Sequence, residues 1–373
     1  MLTILSIIGT RPEAIKMAPV IKELSGHPEQ VRSLVCVTGQ HQEMLDPILD
    51  LFNIQPDYDL NIMKPDQDLS HLTANLITGM EPIVAETKPD WILAQGDTTT
   101  VLVAALLAYY HKVQFGHVEA GLRTGNRYKP FPEEVNRRVA DCLGDLLFAP
   151  TERNREALHR EGCPPDIILV TGNTVIDALL TVVAQPYDFA NGPLASIPQD
   201  RRLVTITAHR RESFGAPFRN ICLAIRELAL RFEGGDVHFV YPVHLNPNVR
   251  QPVGELLDGI ANVSLIEPLD YHSMVNLMKR STLILTDSGG IQEEAPSLGV
   301  PVLVMRDTTE RPEGVAAGVV RVVGTGQSSI VEESARLLSD PVAHAAMARG
   351  ANPYGDGKAA ARIVSALQES AKA

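Results

Sequence analysis

Short apolar segments alternate with longer amphipathic stretches along almost the whole chain, and this alternation restricts the fold more than any other feature. Near-continuous apolar strands separated by helical segments indicate parallel sheets that are covered by helices on both faces. The sequence therefore predicts a doubly wound α/β architecture. The predicted strands are Leu2–Ile8, Leu34–Thr38, Trp91–Gln95, Val113–Val118, Asp145–Ala149, Leu203–Thr207, Val237–Tyr241, Val263–Ile266, Thr282–Thr286, Val300–Met305 and Val319–Val323.

The length of 373 residues exceeds the size at which a single core usually keeps growing, so two domains are expected. The strand series pauses across 183–202, a stretch with three prolines and a glycine that is typical of an interdomain connection. We place an N-terminal Rossmann-like domain at 1–175 and a C-terminal one at 200–355. A last helix, 358–373, is expected to pack back on the first domain. Since ligands of open α/β sheets bind outside the carboxyl ends of strands, two facing domains would form a ligand cleft.

Composition excludes several classes of protein. A net charge of −12 argues against a nucleic-acid binder with a broad basic surface. The longest apolar runs are shorter than the ~20 residues that a membrane span needs, and the N-terminus lacks the basic region of a secretion signal. Four scattered cysteines suit a reduced compartment. The sequence predicts a cytoplasmic protein that binds neither nucleic acid nor membrane.

Charged residues follow the first predicted strand in the segment Gly9–Lys16. Pro12 suits the first turn of a helix, and Arg11 and Lys16 near that helix start are able to hold a phosphate or a carboxylate. A capped helix with solvated charges would use the same residues. The segment is neither a dinucleotide fingerprint nor a Walker loop.

Carboxylates mark three further positions in the first half. Asp97 follows a buried strand, where it is either aimed at a ligand or stabilises the next helix dipole. Glu119 and Glu133 flank a loop rich in glycine and proline that is too elaborate for a plain connection, which favours a functional role. Glu134 and Arg138, four residues apart, are predicted to form an exposed helical ion pair.

In the second half of the chain, residues that are able to bind an anion also follow predicted strands. His209–Arg211 ends a strand and offers several donors to an anion, or forms a solvated basic loop. Ser288–Gly290 joins a strand to a helix and either presents backbone N–H groups to a diphosphate or forms a structural turn. Glu294 is placed to accept hydrogen bonds from a ribose, and Arg311 follows a later strand. Spacing alone thus implies a nucleotide-like anion, no metal site and an undecided reaction.

Seven of these segments, in order and along nearly the whole chain, resemble the non-hydrolysing UDP-N-acetylglucosamine 2-epimerases of bacteria. They read G-T-R-P-E-A-I-K, Q-G-D-T-T-T, H-V-E-A-G-L-R-T, P-F-P-E-E-x-N-R, H-R-R-E-S-F-G, T-D-S-G-G-I-Q-E-E-A and R-D-T-T-E-R-P-E. The resemblance implies two Rossmann-like domains facing a central cleft, as in GT-B-type glycosyltransferases, a homodimer, and no metal or redox cofactor. The implied reaction interconverts UDP-GlcNAc and UDP-ManNAc and supplies ManNAc units for cell-surface polysaccharide.

Site residues follow from the same resemblance, position by position. The implied catalytic residues are Asp97, Glu119, Glu133 and His209. The implied substrate contacts are Arg11, Lys16, Met274, Ser288, Gly289, Gly290, Glu294 and Arg311, with Met274 at a position where relatives commonly have an aromatic residue. An activating substrate site in some members corresponds to Gln40, His41, Arg211 and His244, while Asp66 stands roughly where certain relatives have arginine.

The implied route is anti elimination of UDP to give 2-acetamidoglucal, followed by re-addition with C2 inverted. Three alternatives share parts of this sequence pattern. A hydrolysing epimerase would release ManNAc and UDP, a glycosyltransferase of the same fold would need an acceptor, and a nucleotide-sugar sensor would leave its ligand unchanged.

Overall fold

Two compact units make up the chain in the computed structural model, which describes residues 1–39, 42–62 and 67–370. The first unit contains Met1–Ala178 and the C-terminal segment from Tyr354, and the second unit is Leu179–Pro353. Each unit is built on one parallel sheet with helices around it. The predicted α/β class with two doubly wound sheets is therefore confirmed.

The first sheet has seven strands and the second has six. They are β1 (Leu2–Ile8), β2 (Val31–Val37), β3 (Tyr58–Asp59), β4 (Trp91–Gln95), β5 (Gln114–Val118), β6 (Leu146–Ala149) and β7 (Ile168–Val170), then β8 (Arg202–Thr207), β9 (Val237–Pro242), β10 (Val263–Ile266), β11 (Ser281–Thr286), β12 (Val302–Val304) and β13 (Val320–Val322).

The helices are α1 (Arg11–Ser25), α2 (Gln42–Leu51), α3 (Leu69–Thr87), α4 (Thr99–His111), α5 (Glu133–Leu143), α6 (Glu152–Arg160), α7 (Thr174–Val183), α8 (Ala216–Arg231), α9 (Pro247–Leu257), α10 (Tyr271–Arg280), α11 (Gly289–Glu294), α12 (Pro312–Ala316), α13 (Gln327–Ser339), α14 (Pro341–Ala348) and α15 (Ala359–Ser370). Helices α1 to α12 lie between successive strands, and α13 to α15 follow the last strand.

Both sheets share one strand order. The first runs β3-β2-β1-β4-β5-β6-β7 and the second β10-β9-β8-β11-β12-β13, with every neighbouring pair parallel. Counted within each unit, both contain the order 3-2-1-4-5-6 of the dinucleotide-binding Rossmann fold. The order reverses between β1 and β4 in the first sheet and between β8 and β11 in the second. These two switch points are where such folds place their ligands.

Central strands are buried on both faces, which explains why the sequence shows unbroken apolar runs there rather than alternation. All five residues of β4 are buried, as are the last five of β1. Burying an aliphatic side chain contributes about 1.5–3 kcal/mol, so these strands contribute strongly to the stability of the first unit. The carboxyl ends of the strands emerge from this core into the loops that carry the candidate residues.

The C-terminal helix belongs to the first unit. Helix α15 packs against α1, and the backbone N–H of Ala360 donates to Asp177 Oδ1 on α7 (2.9 Å). Arg362 donates to the carbonyl oxygen of Thr171 (2.9 Å). The segment between α7 and β8 has Leu194 and Ile197 buried in a cluster of the second unit.

The differences from the predicted strands have local causes. The strands β3 and β7 were not predicted, because each is only two or three residues long and gives little apolar pattern. The prediction also began β2 three residues late, since Arg32 and Ser33 interrupt the apolar run at its start. None of these differences moves a carboxyl end of a central strand.

Candidate active site

The strand order gathers the candidate segments at the two switch points. In the first unit, Arg11 and Lys16 lie on α1, directly after β1, and Asp97 lies between β4 and α4. In the second unit, His209 follows β8 and Ser288 follows β11. Within each unit, these loops leave neighbouring parallel strands at the same edge of the sheet. The loops after β1 and β4 therefore lie close together, as do the loops after β8 and β11.

Glu13 joins the two loops at the first switch point. Its buried carboxylate accepts a hydrogen bond from the hydroxyl of Thr98 (2.6 Å) and others from the backbone N–H groups of Gly9 and Thr10. Burial raises the pKa of Glu13 to about 7, although these donors act in the opposite direction. A Cβ on Gly9 would clash with Thr100, so glycine permits this close approach.

Asp97 is oriented by helix α5. The guanidinium of Arg137 donates to Asp97 Oδ2 (2.6 Å), and the side-chain amide of Asn136 donates to the Asp97 carbonyl oxygen (2.9 Å). Arg137 is itself buried, and its guanidinium lies against the partly exposed Asp97 carboxylate. The sequence did not indicate this partner for Asp97.

Glu119 ends β5 with a backbone conformation that is uncommon for its type. Its φ of 68° lies in the left-handed region, where a non-glycine residue costs about 1–2 kcal/mol. The carboxylate forms an ion pair with Lys16 and accepts a hydrogen bond from the Gln95 side chain (2.7 Å). Lys16, predicted as a substrate contact, therefore lies against a predicted catalytic carboxylate. Strain of this kind is typical of functional sites.

Glu133 and Glu134 open α5 but differ in surroundings. Within the described parts of the chain, the partly exposed carboxylate of Glu133 has no hydrogen-bond or ion-pair partner. Glu134 is buried and accepts the backbone N–H groups of Thr124 (3.1 Å) and Gly125 (3.0 Å). The prediction of an exposed pair between Glu134 and Arg138 is wrong. Glu134 accepts hydrogen bonds from the preceding loop, and Arg138 Nε lies 3.4 Å from Glu161 Oε1.

A buried ionic network lies behind these carboxylates. His117 Nδ1 lies 2.6 Å from Asp141 Oδ1, and His117 Nε2 lies 2.7 Å from the carbonyl oxygen of Gly96. Arg123 contacts Asp141 Oδ2 (2.7 Å) and also pairs with Glu161. Burial by itself would lower the pKa of His117, but the charge of Asp141 and the hydrogen bonds to Asp141 and Gly96 together outweigh burial and raise that pKa.

At the second switch point, Asp287 organises the loop that carries His209. Asp287 is fully buried, and its Oδ2 accepts the backbone N–H groups of His209 and Arg210, each at 2.7 Å. The imidazole of His209 stacks on His244 with ring centroids 5.2 Å apart. Burial lowers the pKa of His209; His244 and Arg210 lower it further, against an opposing effect of Asp287.

The start of α11 is open. A Cβ on Gly289 or Gly290 would meet no atom closer than 3.8 Å, and neither residue needs a positive φ, so packing does not explain these glycines. Their lack of side chains leaves room for a ligand to approach the backbone. Ser288 is the N-terminal cap residue of this helix. Glu294, at its end, is buried and accepts a hydrogen bond from the hydroxyl of Tyr271 (2.6 Å).

Two other predicted contacts also lie in the second unit. Arg311 precedes α12 and forms an ion pair with the buried Glu293. Met274, on α10, is partly buried and packs against a cluster that includes Leu203 and Leu277.

Of the four positions matched to an activating site, Arg211 and His244 lie within the described residues. Gln40 and His41, like Asp66, lie outside the described residues. Arg211 is exposed at the start of a short 3-10 turn, two residues after His209. His244 is exposed and stacks on His209, so it lies directly beside a predicted catalytic residue.

Comparison with known proteins gives the family. A sequence model of the family described as UDP-N-acetylglucosamine 2-epimerase matches residues 22–368. The chain is 54% identical over 371 residues to the UDP-N-acetylglucosamine 2-epimerase of Escherichia coli (strain K12), with 98% of both proteins covered. The chain belongs to the UDP-N-acetylglucosamine 2-epimerase family. The relatives of this chain are named as epimerases, which are isomerases.

Solved structures of this epimerase family match over the full chain. The UDP-GlcNAc 2-epimerase of Neisseria meningitidis bound to UDP-GlcNAc is 49% identical, with a TM-score of 0.89, and the alignment covers 99% of this chain and 100% of that one. S. aureus MnaA, in a co-structure with UDP, is 43% identical with a TM-score of 0.90, covering 100% and 97%. The GT-B-type fold implied by the sequence is thus the fold of this chain.

Across 1–39, 42–62 and 67–370, no group of three His, Cys, Asp or Glu side chains is arranged to hold a metal ion. Among the helices of those same ranges, none combines the length and apolarity required to cross a membrane.

Sequence reasoning missed several buried residues of the candidate site. Glu13, His117 and Asp287 all lie in segments that the motifs singled out, and each is a polar residue in or just after a buried strand or at a helix start. A polar residue at such a position is a signal by which the sequence could indicate a site residue. Asp141 gave no signal, because it lies inside α5 and only the packing of that helix shows that it is buried.

Proposed function

We propose that this protein catalyses the reversible epimerisation of UDP-N-acetylglucosamine at C2 to give UDP-N-acetylmannosamine. The proposed route is anti elimination of UDP to 2-acetamidoglucal, followed by re-addition of UDP with C2 inverted. The observation that carries it is the group of carboxylates at the carboxyl edge of the first sheet, in a chain of this family. Asp97 and Glu119 each have a cationic partner, Arg137 and Lys16, and Glu133 opens the helix that supplies Arg137.

The chemistry requires these residue types. No carbonyl is attached directly to C2 of the sugar, so its proton is not acidic enough for simple removal. In the elimination, C2 loses its proton, the C1–O bond to UDP breaks, and a C1=C2 double bond forms. The reverse addition returns UDP to C1 and a proton to the opposite face of C2. One face therefore needs a proton acceptor and the other a donor, and we draw both from Asp97, Glu119 and Glu133.

The second unit has the features needed to bind the departing UDP. We propose that the open start of α11 at Ser288, Gly289 and Gly290 holds the diphosphate, that Arg311 contacts it, and that Glu294 accepts from the ribose. Met274 is proposed to lie at the uracil site. Because its pKa is lowered, His209 is neutral near pH 7 and is able to donate a hydrogen bond to the leaving phosphate. Arg11 is proposed as a further diphosphate contact from the first unit.

The setting of the reaction forms part of the proposal. We place the protein in the cytoplasm, as a homodimer without metal or redox cofactor, where it supplies ManNAc units for cell-surface polysaccharide. Gln40, His41, Arg211 and His244 match the activating substrate site of some members of the family, whereas Asp66 stands roughly where certain relatives have arginine. Light scattering of the purified protein tests the dimer, and curvature in the dependence of rate on UDP-GlcNAc concentration tests the activation.

Incubation of the purified protein with UDP-GlcNAc in deuterium oxide tests the reaction itself. The expected products are UDP-GlcNAc and UDP-ManNAc at equilibrium, both with deuterium at C2, as resolved by chromatography and NMR. Accumulation of free ManNAc and UDP would identify a hydrolysing epimerase instead. A requirement for an added acceptor would indicate a glycosyltransferase, and a bound but unlabelled sugar would indicate a sensor.

A further inference from the structure

The segment Gly96–Asp97 is held by hydrogen bonds on both of its carbonyl groups. The Gly96 carbonyl oxygen accepts from His117 Nε2 (2.7 Å), and the Asp97 carbonyl oxygen accepts from Asn136 Nδ2 (2.9 Å). The N–H of Gly96 donates to the carbonyl oxygen of Val118 (3.1 Å). Gly96 has a φ of 90°, which favours glycine. Few degrees of freedom remain for the backbone that carries the Asp97 carboxylate.

His117 is suited to this role by its own partners. A carbonyl oxygen and a carboxylate both accept hydrogen bonds, so the contacts to Gly96 and Asp141 make both ring nitrogens donors. The ring is fully buried, and Asp141 is buried with it. A histidine that donates at both ends is fixed in its ring orientation, because a ring flip would lose both bonds.

Asp141 also contacts the loop after Glu119. Its second oxygen accepts the backbone N–H of Gly121 (3.3 Å) and contacts Arg123 (2.7 Å). A Cβ on Gly121 would lie 2.5 Å from the carbonyl oxygen of Asn154, so this loop is closely packed from the other side. The helix that begins at Glu133 therefore contacts the backbone beside both other carboxylates.

We propose that His117 and Asn136 are positioning residues for the epimerisation, which hold the Gly96–Asp97 backbone so that the Asp97 carboxylate points at the sugar. The proposal rests on the proposed function. Neither side chain is assigned a contact with substrate. Their loss should lower kcat and leave KM for UDP-GlcNAc nearly unchanged, because misplacing a reacting group by about 1 Å can cost ~10²-fold in rate.

Two substitutions of His117 separate its two hydrogen bonds. In His117→Asn, the amide nitrogen takes the place of Nδ1 and keeps the bond to Asp141, while the bond to Gly96 is lost. In His117→Gln, the amide nitrogen reaches the place of Nε2 and keeps the bond to Gly96. Both variants remove the same buried cation, and His117→Gln also leaves the buried Asp141 carboxylate without this donor, so His117→Gln should be the less stable of the two. A higher activity of His117→Gln than of His117→Asn then reports on the hydrogen bond to Gly96 and not on stability.

Steady-state kinetics with UDP-GlcNAc provide the test. We expect kcat to fall about 100-fold in His117→Asn and no more than about 10-fold in His117→Gln, with KM within about 3-fold of wild type in both. Asn136→Ala leaves the buried ion pair intact and should also lower kcat with little change in KM. This variant tests the proposal if His117→Asn fails to fold. The control Asp145→Asn alters a carboxylate that accepts the N–H of Phe115 at the other end of β5 and should keep wild-type kcat.

The outcomes distinguish a failure of the positioning role from a failure of the proposed function. If wild type epimerises UDP-GlcNAc but His117→Asn or Asn136→Ala matches its kcat, the proposed function stands and the positioning role is overturned. Equal losses in the two His117 variants would overturn it as well. If wild type leaves UDP-GlcNAc unchanged, the proposed function fails and the positioning role fails with it.

Discussion

Arg137 donates a hydrogen bond of 2.6 Å to Asp97 Oδ2, and this contact joins the helix that begins at Glu133 to the loop after β4. Lys16 makes the equivalent ionic contact with Glu119. Each of these carboxylates is thus oriented by a cation from a different helix, α5 or α1. Such orientation by fixed partners lets a site hold reacting groups in place before substrate arrives.

The three proposed catalytic carboxylates lead to the first prediction. Asp97→Asn, Glu119→Gln and Glu133→Gln should each lower turnover of UDP-GlcNAc by at least ~10²-fold, because each removes a carboxylate from the group that supplies the proton acceptor and donor at C2. UDP affinity, measured by calorimetry, should be retained. Asp90→Asn, which alters a carboxylate at the opposite end of β4, is the matched control. Full activity in all three variants would exclude the assignment.

Glu13 should make stability depend on pH. The folded protein keeps its proton up to about pH 7, whereas the unfolded chain releases it near 4.5, so the folded state loses stability as the pH rises between these values. Relative to Glu13→Gln, the free energy of unfolding of wild type should fall by up to about 3 kcal/mol over this range. Urea unfolding at a series of pH values measures it.

The control for Glu13 is Glu86→Gln, since Glu86 is exposed on α3. Its stability should follow that of wild type across the pH series. A constant difference between wild type and Glu13→Gln from pH 4.5 to 8 would contradict the prediction.

The stacked pair His209–His244 leads to a prediction about titration. Burial lowers the pKa of His209, and His244 and Arg210 add to this by repulsion while Asp287 opposes it. His244→Phe keeps an aromatic ring in the stack but removes the second imidazole, so the pKa of His209 should rise. NMR titration of its Hε1 proton measures the change. The pKa of His238, which burial lowers elsewhere in the second unit, should stay as it is, and an unchanged His209 would contradict the prediction.

Asp287 should stabilise the second unit through the loop that it holds. Asp287→Ala removes the acceptor for the backbone N–H groups of His209 and Arg210 and should lower the free energy of unfolding by about 3 kcal/mol. Asp236→Ala removes a carboxylate of the same unit that pairs with Arg202 on the surface, and it should cost much less. Equal losses in the two variants, measured by denaturant unfolding, would contradict the prediction.

Much of the fold could be predicted because the central strands are buried on both faces. Their sequences are unbroken apolar runs, so β1, β4, β5, β8, β9 and β11 were placed to within a few residues. The short edge strand β3 has only two residues and gave no pattern. Strand order was not readable either, since hydrophobicity along one strand contains no information about its neighbours.

The candidate site could be predicted in its residues but not in its partners. Asp97, Glu119 and His209 follow strands at the switch points, which a linear pattern reveals. The contacts of Asp97 with Arg137 and of His117 with Asp141 join residues 40 and 24 positions apart. Glu134 shows the limit: helical spacing suggested an exposed ion pair, whereas the folded loop buries its carboxylate against two backbone N–H groups.

The bond between Tyr271 and Glu294 leads to the last prediction. If Glu294 accepts a hydrogen bond from the ribose, the Tyr271 hydroxyl holds the carboxylate in place for it. Tyr271→Phe should then raise KM for UDP-GlcNAc about 10-fold with little change in kcat, since one hydrogen bond to a charged group is worth about 1.5–3 kcal/mol. Tyr187→Phe, which removes a hydroxyl bonded to Ser273 on the same helix, should leave KM unchanged. A fall in kcat at constant KM would place Tyr271 with the chemistry and not with ribose binding.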